Sequence, residues 1–106
     1  MTKFVLIYSG GGDMSNATPE EQEQAMEAWM GWFGSIGSAV VDAGNPFGPA
    51  STVGPDGSAT ADGTHMLTGY SIIEADSLSA AADHAKGCPI IAAGGSVEVY
   101  EALPIG

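Results

Sequence analysis

The chain of 106 residues has thirteen acidic and two basic side chains, which give a formal net charge of −11 at pH 7. Nucleic acids and anionic membrane surfaces are bound through lysine and arginine, so this composition argues against both as partners. The length predicts one domain over residues 1–106, and a hydrophobic content of 44% is typical of a globular protein.

Two features of the sequence bear on cellular location. Cys88 is the single cysteine, so the chain cannot form an internal disulfide. The apolar run at residues 4–8 is too short for the core of a signal peptide or for a membrane span. We therefore expect a cytoplasmic protein whose acidic residues form a well-solvated surface.

The first half of the chain predicts a strand, a helix and a second strand. Residues 4–8 are continuously apolar, as in a strand covered on both faces. Thr18, Pro19 and Glu21 predict a helix start, because Thr18 can cap, proline suits the first turn and Glu21 closes a capping box. The second strand is predicted at residues 38–43, beyond the glycines that follow the helix.

The first helix has an apolar stripe that we expect to face the core. Met26, Trp29, Met30 and Phe33 have the spacing i, i+3, i+4 and i+7 of one helical face. Trp32 lies off that stripe. The helix is expected to end at the glycines that follow Phe33.

The second half of the chain predicts two more strands and a second helix. A segment rich in glycine, proline and serine at about residues 47–64 is typical of a hairpin flap. Strands are predicted at residues 67–74 and 96–101, with a helix between them at residues 76–86. The order β-α-β-β-α-β predicts an α+β, ferredoxin-like fold, with two helices on one face of a four-stranded antiparallel sheet.

The opposite face of such a sheet would be bare in a single chain. Residues 4–7 are apolar on both alternations, and Tyr70, Ile72, Val97 and Val99 add to that surface. Exposed patches of this size are rare in soluble monomers. We therefore expect a homodimer in which the helix-free faces of two sheets pack together as a dimeric α/β barrel.

Five segments, spread in order over nearly the whole chain, carry a family resemblance. They are KFVLIY at residues 3–8, TPEE at 18–21, GYSIIEADSL at 69–78, AKGCP at 85–89 and GGSVEV at 94–99. Together they resemble the YCII-related family of the dimeric α/β-barrel group. The resemblance implies the same fold and a homodimer, and this family is similar in fold to small isomerases, dehalogenases and monooxygenases.

Two motifs of that family are changed in this chain. Many relatives have Asp-Gly-Pro-Phe after the central hairpin, where this chain has Asp62 and Gly63 followed by Thr64 and His65. Other relatives have a suspected catalytic pair, a histidine in the first helix and an Asp-Pro at the end of the second. Here the first helix has no histidine and Cys88 precedes the proline, so that pair does not carry over.

His84 and Cys88 are one helical turn apart and could form a nucleophile and its base. A reactive thiolate needs a helix amino-terminus or nearby cations, whereas Cys88 follows a predicted helix carboxyl-terminus. We therefore favour a structural interpretation. In it, His84 compensates the helix dipole and Cys88 is a small apolar plug before a proline that stops the helix.

His65 is the stronger candidate for a catalytic base. It follows Asp62 in a loop leading into a core strand, and Asp62 could orient its imidazole. The alternative is a solvated loop histidine. No spacing typical of metal ligands, such as H-x-H, is present, so we expect neither a metal site nor a cofactor.

Aromatic side chains predict an apolar pocket between helix and sheet, or between subunits. The predicted ligand-binding residues are Tyr8, Trp32, Phe47, Tyr70 and His84. The other large rings of the first helix, on its apolar stripe, are expected to fill the core.

Two functions remain open from the sequence. The first is a homodimer that binds a small organic molecule and transforms it as a cofactor-free isomerase or lyase. In that case His65 is the base, Asp62 its orienting partner, and Tyr8 or Tyr70 the proton donor. The second is a non-catalytic ligand-binding or regulatory dimerisation module. A cavity in which His65 meets a tyrosine hydroxyl would favour the first.

Overall fold

The computed structural model describes residues 1–10, 17–60 and 67–105. The strands are β1 Thr2–Ser9, β2 Val40–Asp42, β3 Thr52–Val53, β4 Ala59–Thr60, β5 Leu67–Ala75 and β6 Ser96–Glu101. The helices are α1 Pro19–Ile36, α2 Leu78–Ala85 and α3 Pro89–Ala92, and a 3-10 turn at Gly37–Ala39 joins α1 to β2. Within these described ranges, no helix is both long and apolar enough to cross a membrane.

Four of the strands form one antiparallel sheet in the order β2-β5-β1-β6. The apolar strand β1 is central, with β5 on one side and β6 on the other. The short strands β3 and β4 form a separate hairpin inside the glycine-rich segment. This strand order is the ferredoxin-like arrangement, so the predicted α+β fold is confirmed.

The core lies between the sheet and the helices. Phe4 and Leu6 of β1 and Ile73 of β5 are fully buried there, and Ala81 of α2 packs against the same cluster. Because side chains alternate along a strand, the intervening residues of β1 and β5 point to the other, helix-free face, where they are half-buried.

Two residues predicted for the helix-free face lie on the helix side instead. Val97 and Val99 pair with Tyr8 and Leu6 of β1 and pack against the core. Their assignment to the bare face is therefore wrong, because partners in register share one face of a sheet. The centre of the helix-free face is formed by two rows across the strands, Ile72–Val5–Tyr100 and Tyr70–Ile7–Glu98, and the pair Lys3 and Glu74 lies beside them.

The helix α1 buries a different face from the predicted one. Trp32 is only 6% exposed, whereas Met26 and Met30 are 64% and 67% exposed. The expectation that Trp32 lies off the core-facing stripe and that both methionines lie on it is wrong. An indole ring has more apolar surface to bury than a thioether chain, so the helix turns Trp29 and Trp32 together toward the sheet.

The ends of α1 follow capping chemistry. At the start, the Thr18 hydroxyl oxygen accepts the backbone N–H of Glu21 at 3.1 Å, as predicted. At the other end the helix continues through Gly34 and stops at Gly37, whose φ is +53°. A residue with a Cβ adopts this conformation only with strain, so Gly37 is the effective stop.

A third helix follows α2, where the sequence predicted only a stop. Pro89 is the first residue of α3, a position that needs no backbone N–H donor. Cys88 precedes it and is 2% exposed. The proline therefore starts a new helical turn, which brings Ile90 into the core.

The loop after β2 runs along β5 as an irregular extension of the sheet. Pro46 forms a bridge with Gly69, and the Phe47 N–H donates to the Thr68 carbonyl at 2.9 Å. Gly44 has a φ of +77°, and a Cβ there would lie 1.8 Å from the Tyr70 carbonyl oxygen. Glycine at this position lets the loop approach β5 closely.

Candidate functional site

A cleft of about 910 Å³ lies on the helix side of the sheet. Its walls are α1, the end of β1, the start of β5, the loop after β2, and α3. Most of the lining surface is apolar, as is usual for a small-molecule site, and the volume is in the range of such sites. The large side chains of the wall are Tyr8, Met26, Trp29, Phe33 and Ile90.

Trp29 is the centre of an aromatic cluster beside this cleft. Its ring meets Tyr8 edge to face, with centroids 5.0 Å apart and planes at 78°. It meets Trp32 at 5.8 Å and 81°, and Phe33 at 6.0 Å. The spacing i, i+3 and i+4 puts these three rings of α1 side by side. Contacts on several sides hold the half-buried indole in one orientation against the cleft.

A short chain of hydrogen bonds fixes the Tyr8 hydroxyl. The Ser71 hydroxyl donates to the Ala43 carbonyl at 2.6 Å, and the Tyr8 hydroxyl donates to the Ser71 oxygen at 2.7 Å. A carbonyl can only accept, so Ser71 must give its proton to Ala43 and take that of Tyr8. The Tyr8 oxygen therefore keeps a lone pair with which to accept a hydrogen bond from a ligand.

Burial controls the protonation of two groups near the cleft. It raises the pKa of Tyr8 to about 12, and the hydrogen bond to Ser71 offsets only part of this effect. Burial also raises the pKa of the Cys88 thiol to about 11. Both groups are therefore protonated at neutral pH. Neither can act as a base or as an anionic nucleophile there, which supports the structural interpretation of Cys88.

These pKa values predict a loss of stability at high pH. Both are raised above their unfolded values, so their contribution is complete below about pH 9 and is lost as the pH rises toward about 12. At about pH 11 we expect Tyr8 to account for about 1.4 kcal/mol of the fall in unfolding free energy. Urea unfolding at about pH 8 and pH 11 measures this, and Tyr8→Phe should show the smaller fall. Equal falls in both proteins would contradict the assignment.

The structure brings Trp32 and His84 together at the edge of the core. The Trp32 indole N–H donates to the His84 backbone carbonyl at 2.9 Å, and neither residue lines the cleft. This contact joins α1 to the last turn of α2. The two residues predicted to bind a ligand thus hold the helices together.

The tyrosines predicted to share one pocket are on opposite sides of the sheet. Tyr8 lies on the core side of the sheet and lines the cleft. Tyr70 also borders the cleft, but its register places the ring on the helix-free face, where Phe47 stacks on it at 5.9 Å. Of the predicted ligand-binding residues, Tyr8 and Tyr70 line the cleft, and Tyr8 is the one that the strand register places on the helix side.

The predicted base His65 and its partner Asp62 lie outside the described residues. No geometry is therefore assigned to them. Among residues 1–10, 17–60 and 67–105, no group of three His, Cys, Asp or Glu side chains is placed to hold a metal ion.

Sequence reasoning missed Trp29 and Phe33 as cleft residues and placed them in the core. A partial signal was present, because Ala25 lies one turn before Trp29 on α1, Ala28 immediately precedes it, and both line the same cleft. Small side chains beside large rings leave space. Ser71 had a signal too, since a hydroxyl inside an apolar strand must find a hydrogen-bond partner.

Comparisons with known proteins concern the family and the fold. The model of the YCII-related domain family matches residues 4–105. A solved structure with the same fold is 5-chloro-2-hydroxyhydroquinone dehydrochlorinase (TftG) from Burkholderia phenoliruptrix AC1100, in complex with 2,5-dihydroxybenzoquinone. The two chains align with a TM-score of 0.57 and 17% identity, over 98% of this chain and 95% of that one. The search of curated protein sequences gave no match.

Proposed function

The chain belongs to the YCII-related family, and from that premise we propose that it binds a small, flat organic molecule in the cleft between α1 and the sheet. The observation that carries this proposal is the cleft itself, with its volume of about 910 Å³ and its mostly apolar walls. The half-buried rings of Trp29 and Phe33 line the cleft, and a planar molecule can pack against such rings.

The Tyr8 hydroxyl is the polar group that would orient the ligand in this site. The Tyr8 oxygen can accept a hydrogen bond, while its proton is held by Ser71. A ring with a hydroxyl or amine substituent would satisfy this acceptor, and a bare hydrocarbon would not. The dehydrochlorinase of the same fold was solved with 2,5-dihydroxybenzoquinone, which is also flat and hydroxylated, and this supports a ligand of similar size and shape.

Binding without turnover is the better supported form of this function. Among the described lining residues, the ionisable side chains are Tyr8 and Tyr70, and the pKa of Tyr8, about 12, is far too high for a base at neutral pH. A cofactor-free isomerase or lyase would need His65 as its base and Asp62 to orient it. The dehydrochlorinase activity of the solved structure favours this second candidate. The variant His65→Ala tests it, because turnover that survives the substitution would exclude His65 as the catalytic base.

We also propose that two copies pair through the helix-free face. The row Ile72–Val5–Tyr100 and the neighbouring Ile7 give this face an apolar centre. Two acidic members have partners on the face itself: Glu98 accepts a hydrogen bond from the Tyr100 hydroxyl, and Glu74 lies opposite Lys3. Covering these side chains would remove apolar surface from water.

Isothermal titration calorimetry with 2-naphthol tests the binding site. We expect saturable binding that Trp29→Leu weakens about tenfold, because it removes the central ring of the cleft. Met30→Leu is the matched control, since Met30 lies on the same helix, is exposed and does not line the cleft. Circular dichroism checks that both variants are folded.

Tyr8→Phe separates the polar contact from ring packing. It should weaken 2-naphthol and leave naphthalene unchanged, because only the naphthol donates to the Tyr8 oxygen. Absence of saturable binding to the unmodified protein, or equal binding by Trp29→Leu and Met30→Leu, would contradict the proposed site.

A further inference from the structure

We propose that the ligand of the cleft is an aromatic cation, a flat ring that bears a protonated amine. This inference rests on the proposed function and adds the charge of the ligand to it. It follows from the positions of the charged groups around the cleft and from the aromatic rings of its wall.

The chain has no fixed positive charge to offer an anion in the cleft. Its two basic side chains are Lys3 and Lys86, and neither is among the described residues that line the cleft. Lys86 forms an ion pair with Asp83 at 3.0 Å, and Lys3 lies opposite Glu74 on the helix-free side of the sheet. A carboxylate or phosphate bound in this apolar cleft would lose water and gain no countercharge, whereas an ammonium would lose water but could be compensated by the aromatic rings of the wall.

The amino-terminus of α1 is the element that could favour an anion, and it is already compensated. The N–H of Glu21 donates to the Thr18 hydroxyl, and the N–H of Gln22 donates to the Thr18 carbonyl at 3.0 Å. The carboxylates of Glu20 and Glu21 lie in the first turn, where they offset the positive end of the helix dipole.

Several features favour a cation instead. The half-buried rings of Trp29 and Phe33 line the cleft. The face of an aromatic ring carries the negative part of its quadrupole and attracts a cation within about 6 Å. The exposed carboxylates of Glu23 and Glu27 on α1 do not line the cleft, so they add only to the general negative potential of the chain. With a net charge of −11, the chain attracts cations and repels anions over about one Debye length, which is about 8 Å in physiological salt.

Three probes with one phenyl ring and chains of similar length isolate the charge: 2-phenylethylammonium, 2-phenylethanol and 3-phenylpropanoate. Calorimetry should give the tightest binding for the ammonium, between about threefold and thirtyfold tighter than the alcohol, and the weakest for the carboxylate. Raising the salt to about 0.5 M should reduce the advantage of the ammonium and leave the alcohol unchanged.

Substitution at Trp29 shows whether the ring is responsible. Trp29→Phe keeps a weaker ring face and should retain part of the preference for the ammonium, whereas Trp29→Leu should lose most of it. Equal affinities for the three probes, or tightest binding of the carboxylate, would overturn the inference and leave the proposed binding function standing. Failure of every probe to bind would overturn both.

Discussion

Replacement of Trp32 with alanine is expected to lower the free energy of unfolding by about 3–5 kcal/mol. Trp32 is 6% exposed and packs against Trp29 and Phe33, with ring centroids 5.8 Å and 4.9 Å away. Its N–H is the donor to the His84 carbonyl at the end of α2. The substitution removes a large buried ring and also leaves that carbonyl without this donor, so both losses add.

Urea unfolding monitored by circular dichroism measures this effect. Trp32→Phe should cost less than the alanine variant, about 1–2 kcal/mol, because one ring remains and the loss is limited to the N–H contact and part of the indole volume. Met30→Ala on the exposed side of the same helix should change stability by less than about 0.5 kcal/mol. If Trp32→Ala were within about 1 kcal/mol of the unmodified protein, Trp32 would not be the link between α1 and α2 described here.

Replacement of Val5 with glutamate is expected to convert the proposed dimer into a folded monomer at micromolar concentration. Val5 lies on the central strand, between Ile72 and Tyr100, on the helix-free face. In a two-fold dimer each substitution occurs twice, so two carboxylates would be buried in the interface, and the lysine of this face, Lys3, already lies opposite Glu74. The core side of β1 is unchanged, so the single chain should keep its fold.

Sedimentation velocity distinguishes the two states by mass. Met30→Glu is the matched control, because it adds the same charge to an exposed apolar residue of α1 and should leave the dimer intact. Two results would contradict the pairing: an unmodified protein that is already monomeric at micromolar concentration, or a Val5→Glu variant that stays dimeric.

The fold was largely predictable because its signals are local. The apolar run of β1 and the capping chemistry at Thr18 each depend on a few adjacent residues, and both predict what the structure contains. The rotation of α1 was not predictable in this way. The stripe of Met26 and Met30 and the alternative face with Trp32 have similar hydrophobicity, and only packing against the sheet selects between them.

The candidate site depends on contacts between distant parts of the chain. Tyr8 and Ser71 are 63 residues apart, and their hydrogen bond follows from the pairing of β1 with β5. The sequence indicated Tyr8 as a pocket residue but placed Trp29 in the core. Whether a ring of α1 fills the core or borders a gap is decided by how closely the helix approaches the sheet, and no spacing within α1 specifies that distance.

The position of the binding site is tested most directly by NMR titration of the nitrogen-15-labelled protein with 2-naphthol. Saturable shifts are expected at the Trp29 indole N–H and at the backbone N–H groups of Gly69 and Ala92, which line the cleft. Signals of Glu98 and Tyr100 on the helix-free face should not move. Saturable shifts confined to that face, or no saturable shift anywhere, would contradict a binding site between α1 and the sheet.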